Sequence, residues 1–167
     1  SVGALDKFLA SDVLGNSGDG DVLTWVAGTL DDLGYGSDGL TLEFKTEGMD
    51  SRVDDWSEVD GQTNDVRAFA LEEPVYFYLL KIGVPKQSGA DTHYLFENQE
   101  SLLWAVIDFD EMLSDQPDGF SFNLGRISHI SGFDSVTDVA EPGTLGLFGL
   151  GLLAFGAMRR RAATNSA

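Results

Sequence analysis

The sequence predicts a mainly β protein: an antiparallel β-sandwich of jelly-roll-like type, with one amphipathic helix near the N-terminus and a single C-terminal transmembrane helix. Three observations lead to this fold class. Short β-branched and aromatic segments alternate with turn-rich segments such as EVDGQTND and DQPDG, at the spacing of strands in a sandwich. One early segment has helical periodicity instead. A long uncharged segment lies near the C-terminus. Because 167 residues are enough for one packed core and too few for two domains, we expect one domain and its tail.

The helix is predicted over residues 21–33. Five apolar residues recur there at helical spacing, and Gly34 follows as a stop signal. We expect Asp19 or Asp21 to cap its N-terminus, and the helix to cover an end or an edge of the sandwich. The five apolar residues are Val22, Leu23, Val26, Leu30 and Leu33.

Seven strands are predicted after the helix. Segments such as LTLEFK and VRAFAL alternate, whereas VYFYLLKI is a dense run of aromatic and aliphatic residues. The predicted strands are residues 40–45, 66–71, 75–82, 93–97, 102–109, 120–124 and 127–133.

Four segments of the chain are predicted. A domain over residues 1–135 is followed by a linker over 136–141, a segment with a transmembrane helix and an arginine cluster over 142–161, and a disordered tail over 162–167. Residues 1–14 contain no basic segment leading into an apolar run, so we expect either that a leader has been removed or that the chain is a fragment.

The charges are segregated along the chain. Residues 1–141 contain 28 acidic and seven basic residues, a formal charge of −21, whereas the residues after 141 carry +3. A polyanionic body is not expected to bind nucleic acid. The chain has no cysteine, which excludes disulfides, thiolate metal sites and thiol nucleophiles.

The C-terminal apolar segment predicts a membrane anchor. Residues 142–158 are uncharged and directly precede Arg159, Arg160 and Arg161. Seventeen residues reach roughly 25 Å as a helix, at the lower edge of a membrane span. The positive-inside rule places the arginines in the cytoplasm and the body outside. The anchor residues are Leu145, Leu147, Phe148, Leu150, Leu152, Leu153 and Phe155.

This tail resembles the PEP-CTERM sorting signal of proteins exported by Gram-negative bacteria. An acidic-Pro-Gly-Thr element, a Leu/Gly-rich apolar helix and an arginine cluster together make the resemblance, which covers residues 139–161. The family's Pro-Glu-Pro appears here as Ala140-Glu141-Pro142. The predicted sorting motif is Ala140, Glu141, Pro142, Gly143 and Thr144.

The resemblance implies a route for the protein. The precursor would be held in the inner membrane with its domain in the periplasm, and would be cut near Glu141 and Pro142 by an exosortase. The body would then reach the cell surface or the extracellular matrix, in association with exopolysaccharide or biofilm. The segments YLFENQESLLWAVIDF and GRISHISGFDS are also similar to the ectodomains of such sorted proteins.

No catalytic residues are predicted, so the protein is expected not to be an enzyme. His93 and His129 lie on separate predicted strands, which leaves little material for a histidine-based triad or metal site. His129 is expected to be solvated or to lie at an edge, and His93 likewise to stand at the start of a strand. Asp108, Asp110 and Glu111 are expected to form a solvated rim.

No cofactor is predicted. Among small ligands, calcium is the best candidate, because the loops are rich in side-chain oxygens. Hard oxygen ligands cluster weakly at Asn16, Asp19 and Asp21. A second group, which like the first lacks the EF-hand pattern, is Asp54, Asp55 and Asp60.

One tryptophan is expected to be exposed. Trp25 and Trp104 lie among apolar neighbours and are predicted to be core residues. Trp56, within VDDWSEVDG, is predicted to lie at the surface, where it would contact a ligand such as a sugar.

Two alternatives to a non-enzymatic surface or matrix protein stay open. The first is a secreted carbohydrate-binding module or glycoside hydrolase with the same sorting tail; a hydrolase would need two carboxyl groups converging in a cleft. The second is a permanently anchored single-span envelope subunit.

Overall fold

The computed structural model describes residues 2–15, 18–63, 65–85, 88–100, 102–117 and 120–134. Eight strands and two α-helices lie in this part of the chain. In chain order they are β1 (Lys7–Asp12), α1 (Asp19–Asp32), β2 (Thr41–Glu47), β3 (Ser57–Glu58), β4 (Val66–Ala70), β5 (Phe77–Ile82), β6 (His93–Glu97), β7 (Trp104–Asp108), α2 (Phe109–Met112) and β8 (Ile127–Asp134). Three short 3₁₀ helices are Met49–Ser51, Val53–Asp55 and Leu124–Arg126.

The strands form two antiparallel sheets. The larger sheet has five strands in the order β1-β6-β5-β8-β2, and the smaller has three in the order β3-β4-β7. All six strand pairings are antiparallel. The mainly β, two-sheet prediction is therefore confirmed, with the strands divided five and three.

The main core lies between the two sheets. Tyr78 and Leu80 of β5 share one cluster with Phe69 of β4 and Ile107 of β7. Alternate residues along β5 point to opposite faces, so Phe77 and Leu79 belong to a second cluster on the other side of the larger sheet. The larger sheet is thus buried on both faces.

Helix α1 covers the outer face of the larger sheet. Val22, Val26 and Leu30 form one buried stripe at a spacing of four residues, and this stripe packs against the second cluster, including Leu95 and Phe133. The predicted position at an end or edge of the sandwich was wrong. The stripe is long enough to lie on a sheet face, where it buries more apolar surface than at an edge.

Helix α1 begins at Asp19 and ends at Asp32, two residues before the predicted start and one residue before the predicted end. Gly18 occupies the N-cap position and has no side chain to make a capping hydrogen bond, so the expectation that Asp19 or Asp21 is the N-cap was wrong. Both aspartates lie inside the first turn, where a negative charge still favours the helix dipole. At the other end Gly34 has φ of 82° and Tyr35 N donates to Leu30 O, which confirms Gly34 as the stop.

Several strands differ from their predicted bounds. Residues 120–124 form no strand, and Leu124 begins a 3₁₀ helix. The segment predicted over 102–109 ends at Asp108, because this side chain accepts hydrogen bonds from Asp110 N (3.0 Å) and Glu111 N (3.3 Å) and caps α2. Strands β1 and β3 were not predicted, since the former lacks alternation and the latter has two residues.

A buried carboxylate connects the two sheets. Asp6, with 3% of its surface exposed, accepts from the Tyr78 hydroxyl (2.9 Å) in the larger sheet and from Val106 N (2.6 Å) on β7. It also accepts from Gln99 N (2.7 Å). Burial raises the pKa of Asp6 to about 6 despite these three donors. The sequence analysis gave no role to this residue.

A glycine in β8 allows the sheet to pack tightly. A Cβ at Gly132 would lie 2.2 Å from Cε1 of Phe44, a core residue of β2. We expect Gly132→Ala to lower the free energy of unfolding by about 1–3 kcal/mol because Phe44 must leave its position. The control is Gly28→Ala on α1, where a Cβ meets no atom within 4 Å; it should raise stability by roughly 0.5–1 kcal/mol. Urea titration measures both, and equal effects would contradict the packing account.

Candidate functional site

Five charged or ionisable residues form one row across the larger sheet. Asp12 pairs with His93, Lys81 pairs with both His93 and His129, and His129 pairs with Glu47. The row therefore crosses all five strands. It lies on the face that carries α1, since Lys81 shares strand parity with Leu79.

Both histidines of this row are buried. His93 is 1% exposed and His129 is 3% exposed, so the solvated or edge-lying position expected of them was wrong, although His93 does begin β6 as predicted. The prediction assumed that a side chain pointing away from the main core meets water, whereas β6 and β8 are interior strands of a sheet whose outer face is also covered.

The surroundings keep both imidazoles neutral. Burial, and after it the positive charge of Lys81, lowers the pKa of His93 to about 4. Burial and the charge of Lys45 lower the pKa of His129 to about 4, against the opposing effect of Glu47, whose carboxylate lies 3.6 Å from Nδ1. Nδ1 of His93 is 2.7 Å from the Thr92 hydroxyl, whereas its Nε2 makes no hydrogen bond within the described part of the chain.

A cleft of about 500 Å³ opens beside the smaller sheet. Asp65 and Arg67 line it from the start of β4, and Phe109 lines it from α2. Val53 and the segment 122–125 also line the cleft, and residues 122–124 of this segment were predicted to belong to a strand. Because this segment pairs with no sheet, its side chains are available to form the wall of a cleft.

A second cleft of about 400 Å³ adjoins the first at Gly125, which lines both. Its polar wall contains Glu47, Asp50 and Arg126. Lys45 donates a hydrogen bond to Glu47 and lowers the pKa of that carboxyl, with the two charged groups 2.9 Å apart. Neither cleft was anticipated; the phenylalanines of FSFNL were the signal, but they were assigned to a strand.

Trp56 is a core residue. It is 7% exposed and packs against Phe69 (ring centroids 5.2 Å apart) and Phe109 (5.6 Å). The predicted exposure, and with it a direct ligand contact, was wrong, because the 3₁₀ helix Val53–Asp55 turns the ring inward. Trp25 and Trp104, predicted to be core residues, are half-buried against the apolar clusters on the outer faces of the two sheets.

The calcium candidates are arranged differently from a metal site. Asp19 forms an ion pair with Lys45 (2.8 Å), which lowers the pKa of that carboxyl, and Asp55 accepts from Arg52 (2.6 Å). Among the residues that the structure describes, no three His, Cys, Asp or Glu side chains are placed to hold a metal ion. Asn16 lies outside the described residues.

The acidic residues after β7 lie at the surface, in part as expected. Asp110 and Glu111 are exposed, whereas Asp108 is half-buried as the cap of α2. Repulsion from Asp65 raises the pKa of Asp110. Asp110 and Glu111 belong to the helical turn α2, which Asp108 caps.

The predicted sorting motif, anchor and arginine cluster, all within residues 140–161, lie outside the described residues. The described helices include none that is long and apolar enough to cross a membrane. The described residues end at Asp134, the last residue of β8. This strand is hydrogen-bonded to β5 on one side and to β2 on the other.

Residues 138–161 match the model of the PEP-CTERM protein-sorting motif, which confirms the resemblance inferred from the sequence. The motif indicates an exported protein with a C-terminal, membrane-anchored sorting signal that is processed by an exosortase. Neither the search of curated proteins nor that of solved structures gave a match.

Proposed function

We propose that the chain is a non-enzymatic surface or extracellular-matrix protein, delivered by its C-terminal signal and associated with exopolysaccharide. The signal at residues 138–161 carries this proposal. The precursor stands in the inner membrane with the β-sandwich in the periplasm. Cleavage near Glu141 then sends the body to the cell surface or matrix.

The position of the signal supports cleavage without loss of the fold. The last described strand ends at Asp134, four residues before the matched motif begins. A cut near Glu141 therefore removes none of the strands or helices described above. Pro142 supports the same step, since proline keeps the preceding residue extended, as a protease requires of its substrate.

The clefts support a non-enzymatic role over a glycoside hydrolase. A hydrolase of the usual kind needs a general acid whose pKa is raised, facing a second carboxylate. Among the described residues, the carboxyls of Asp6 and Asp110 have a raised pKa. Neither lines a cleft, although Asp65, whose charge raises the pKa of Asp110, lines the first cleft. Asp6 is instead fully engaged by three donors.

Substitutions in the motif test the delivery. We expect Glu141→Ala and Pro142→Ala precursors, produced in a host with a matching exosortase, to stay in the membrane fraction with the apolar segment attached. The wild-type body should leave that fraction. Asn165→Ala, beyond the arginine cluster, is the matched control and should behave like the wild type.

Two results would contradict delivery by the sorting motif. Release of the Glu141 and Pro142 variants at the wild-type rate would show that the motif is not the processing signal. Retention of the wild type, with the exosortase active, would favour the permanently anchored envelope subunit.

A further inference from the structure

We propose that the two adjoining clefts form a binding groove for a neutral saccharide. The groove is defined by Asp65, Arg67 and Phe122 in the first cleft, by Glu47 and Arg126 in the second, and by Gly125 where they meet. This inference concerns the body of the protein. It holds whether or not the tail is cleaved, so binding and processing are measured separately.

The groove has a rigid aromatic wall. Phe122 stacks on Phe109 with ring centroids 4.9 Å apart and an interplanar angle of 25°. Phe109 in turn packs against Trp56 of the core. Phe109 is buried and Phe122 is half-buried, so Phe122 is the outermost ring of a stack fixed in the protein interior. Such a ring offers an apolar surface, at little entropic cost, to the C–H face of a sugar.

Polar groups surround this ring. Asp65 supplies carboxylate acceptors and Asn123 supplies an amide that both donates and accepts. Arg67, whose guanidinium donates to Val66 O (3.1 Å) and pairs with Glu58 (3.6 Å), supplies positive charge. Asp65 and Asn123 are exposed and Arg67 is half-buried. A few polar groups beside an aromatic surface are typical of a small-molecule site, and this donor and acceptor set matches hydroxyl groups, which also donate and accept.

The charges favour a neutral ligand. Each cleft contains both signs: Asp65 with Arg67 in the first, and Glu47 and Asp50 with Arg126 in the second. An ionic ligand of either sign would therefore meet a like charge within the groove. The formal charge of −21 over residues 1–141 also opposes an acidic polymer. A neutral polyhydroxyl ligand avoids both costs.

The dimensions favour a chain over a single sugar. Clefts of about 500 and 400 Å³ adjoin at Gly125. A Cβ at Gly125 would approach Oδ1 of Asn123 to 3.2 Å, so a side chain here would crowd the junction. The groove thus continues from one cleft to the next, as an oligosaccharide requires.

Affinity measurements on the full chain test the proposal. The chain is held in a detergent without a sugar headgroup and titrated by calorimetry with neutral oligosaccharides from dextran, mannan, cellulose and chitin, and with the acidic alginate as comparison. We expect at least one neutral oligosaccharide to bind and alginate not to bind. Phe122→Ala should weaken the binding by about tenfold, and Asn123→Ala by about fivefold.

The variants separate binding from folding. The Asn123 side chain makes no capping hydrogen bond, so Asn123→Ala should keep the wild-type unfolding transition even if Phe122→Ala does not. Tyr76→Ala is the matched control, an aromatic residue that is 48% exposed and lines neither cleft. Its affinity should equal that of the wild type. No binding to any neutral oligosaccharide, binding of alginate alone, or equal affinity in Asn123→Ala would overturn the proposal.

Discussion

Replacing Asp6 with alanine is expected to lower the free energy of unfolding by on the order of 3 kcal/mol or more. The change removes the acceptor of three donors, the Tyr78 hydroxyl and the backbone amides of Gln99 and Val106. Each buried donor left without a partner costs about 1–3 kcal/mol. Because two of the donors belong to different sheets, we also expect the two sheets to lose their fixed connection at this point.

Urea titration at pH 7, followed by tryptophan fluorescence, measures this effect. Asp60→Ala is the control, since Asp60 is an exposed carboxylate of the same chemistry, and its effect should stay within about 0.5 kcal/mol. A loss below about 1 kcal/mol for Asp6→Ala would mean that the carboxylate does not bridge the sheets.

Acidification from pH 7 to pH 4 is expected to destabilise the fold through His93 and His129. Both have a folded pKa of about 4, below the ordinary value of 6.5. Each contributes stability that is present above pH 6.5, where the imidazole is neutral in both states, and that is lost as pH falls through 6.5 toward 4. The shift corresponds to about 3 kcal/mol for each histidine.

The groups facing the histidines explain the direction. Lys81 lies between them on β5, and Lys45 faces His129 from β2. Asp12, Glu47 and Asp19 act against the lysines from β1, β2 and α1. Burial together with the two cations outweighs these carboxylates, so protonation places new positive charge beside existing positive charge.

Asp6 has the opposite pH dependence. Its folded pKa of about 6 lies above the ordinary 3.8, so it contributes stability as pH falls from 6 toward 4. It therefore offsets part of the loss caused by the histidines.

The pH dependence of stability in variants separates the contribution of the histidines from that of the carboxyl groups. Urea midpoints are measured at pH 7, 5.5 and 4 for the wild type, His93→Gln and His129→Gln. Each variant should lose less stability on acidification than the wild type, by about 3 kcal/mol. Asp6→Asn should lose more. Parallel profiles for the wild type and both histidine variants would show that the imidazoles are not held neutral in the fold.

The sequence predicted those elements whose pattern arises within the segment itself. Strand β6 was predicted with its observed bounds, and β8 within one residue, because their apolar residues are dense and flanked by turns. The stop of α1 was predicted because it depends on one local property, the positive φ that the backbone of Gly34 adopts. The sorting motif was also recognised, since its three parts follow one another along the chain.

Features that depend on distant contacts could not be predicted in this way. By simple alternation, His129 and Ile127 would lie on the same face of β8. The register between β5 and β8 shifts between Lys81 and Ile82, however, and both Ile127 and Ile130 reach the main core. His129 then faces α1, a surface that the sequence of β8 does not reveal. The acidic neighbours of Trp56 suggested exposure, whereas Phe69 and Phe109, remote in sequence, bury it.

Asp6 and the groove were missed for the same reason. Asp6 is one of 28 acidic residues, and only its three long-range donors distinguish it. Asp65, Phe109 and Phe122 come from three separate segments, so their proximity depends on the fold.

The mass of the protein recovered from its native cells tests the central claim most directly. Intact mass spectrometry of the envelope and extracellular fractions should find a body that ends between Ala140 and Gly143 and lacks Arg159, Arg160 and Arg161. Recovery of the protein only in the membrane fraction, with all three arginines attached, would contradict cleavage and delivery by the sorting signal.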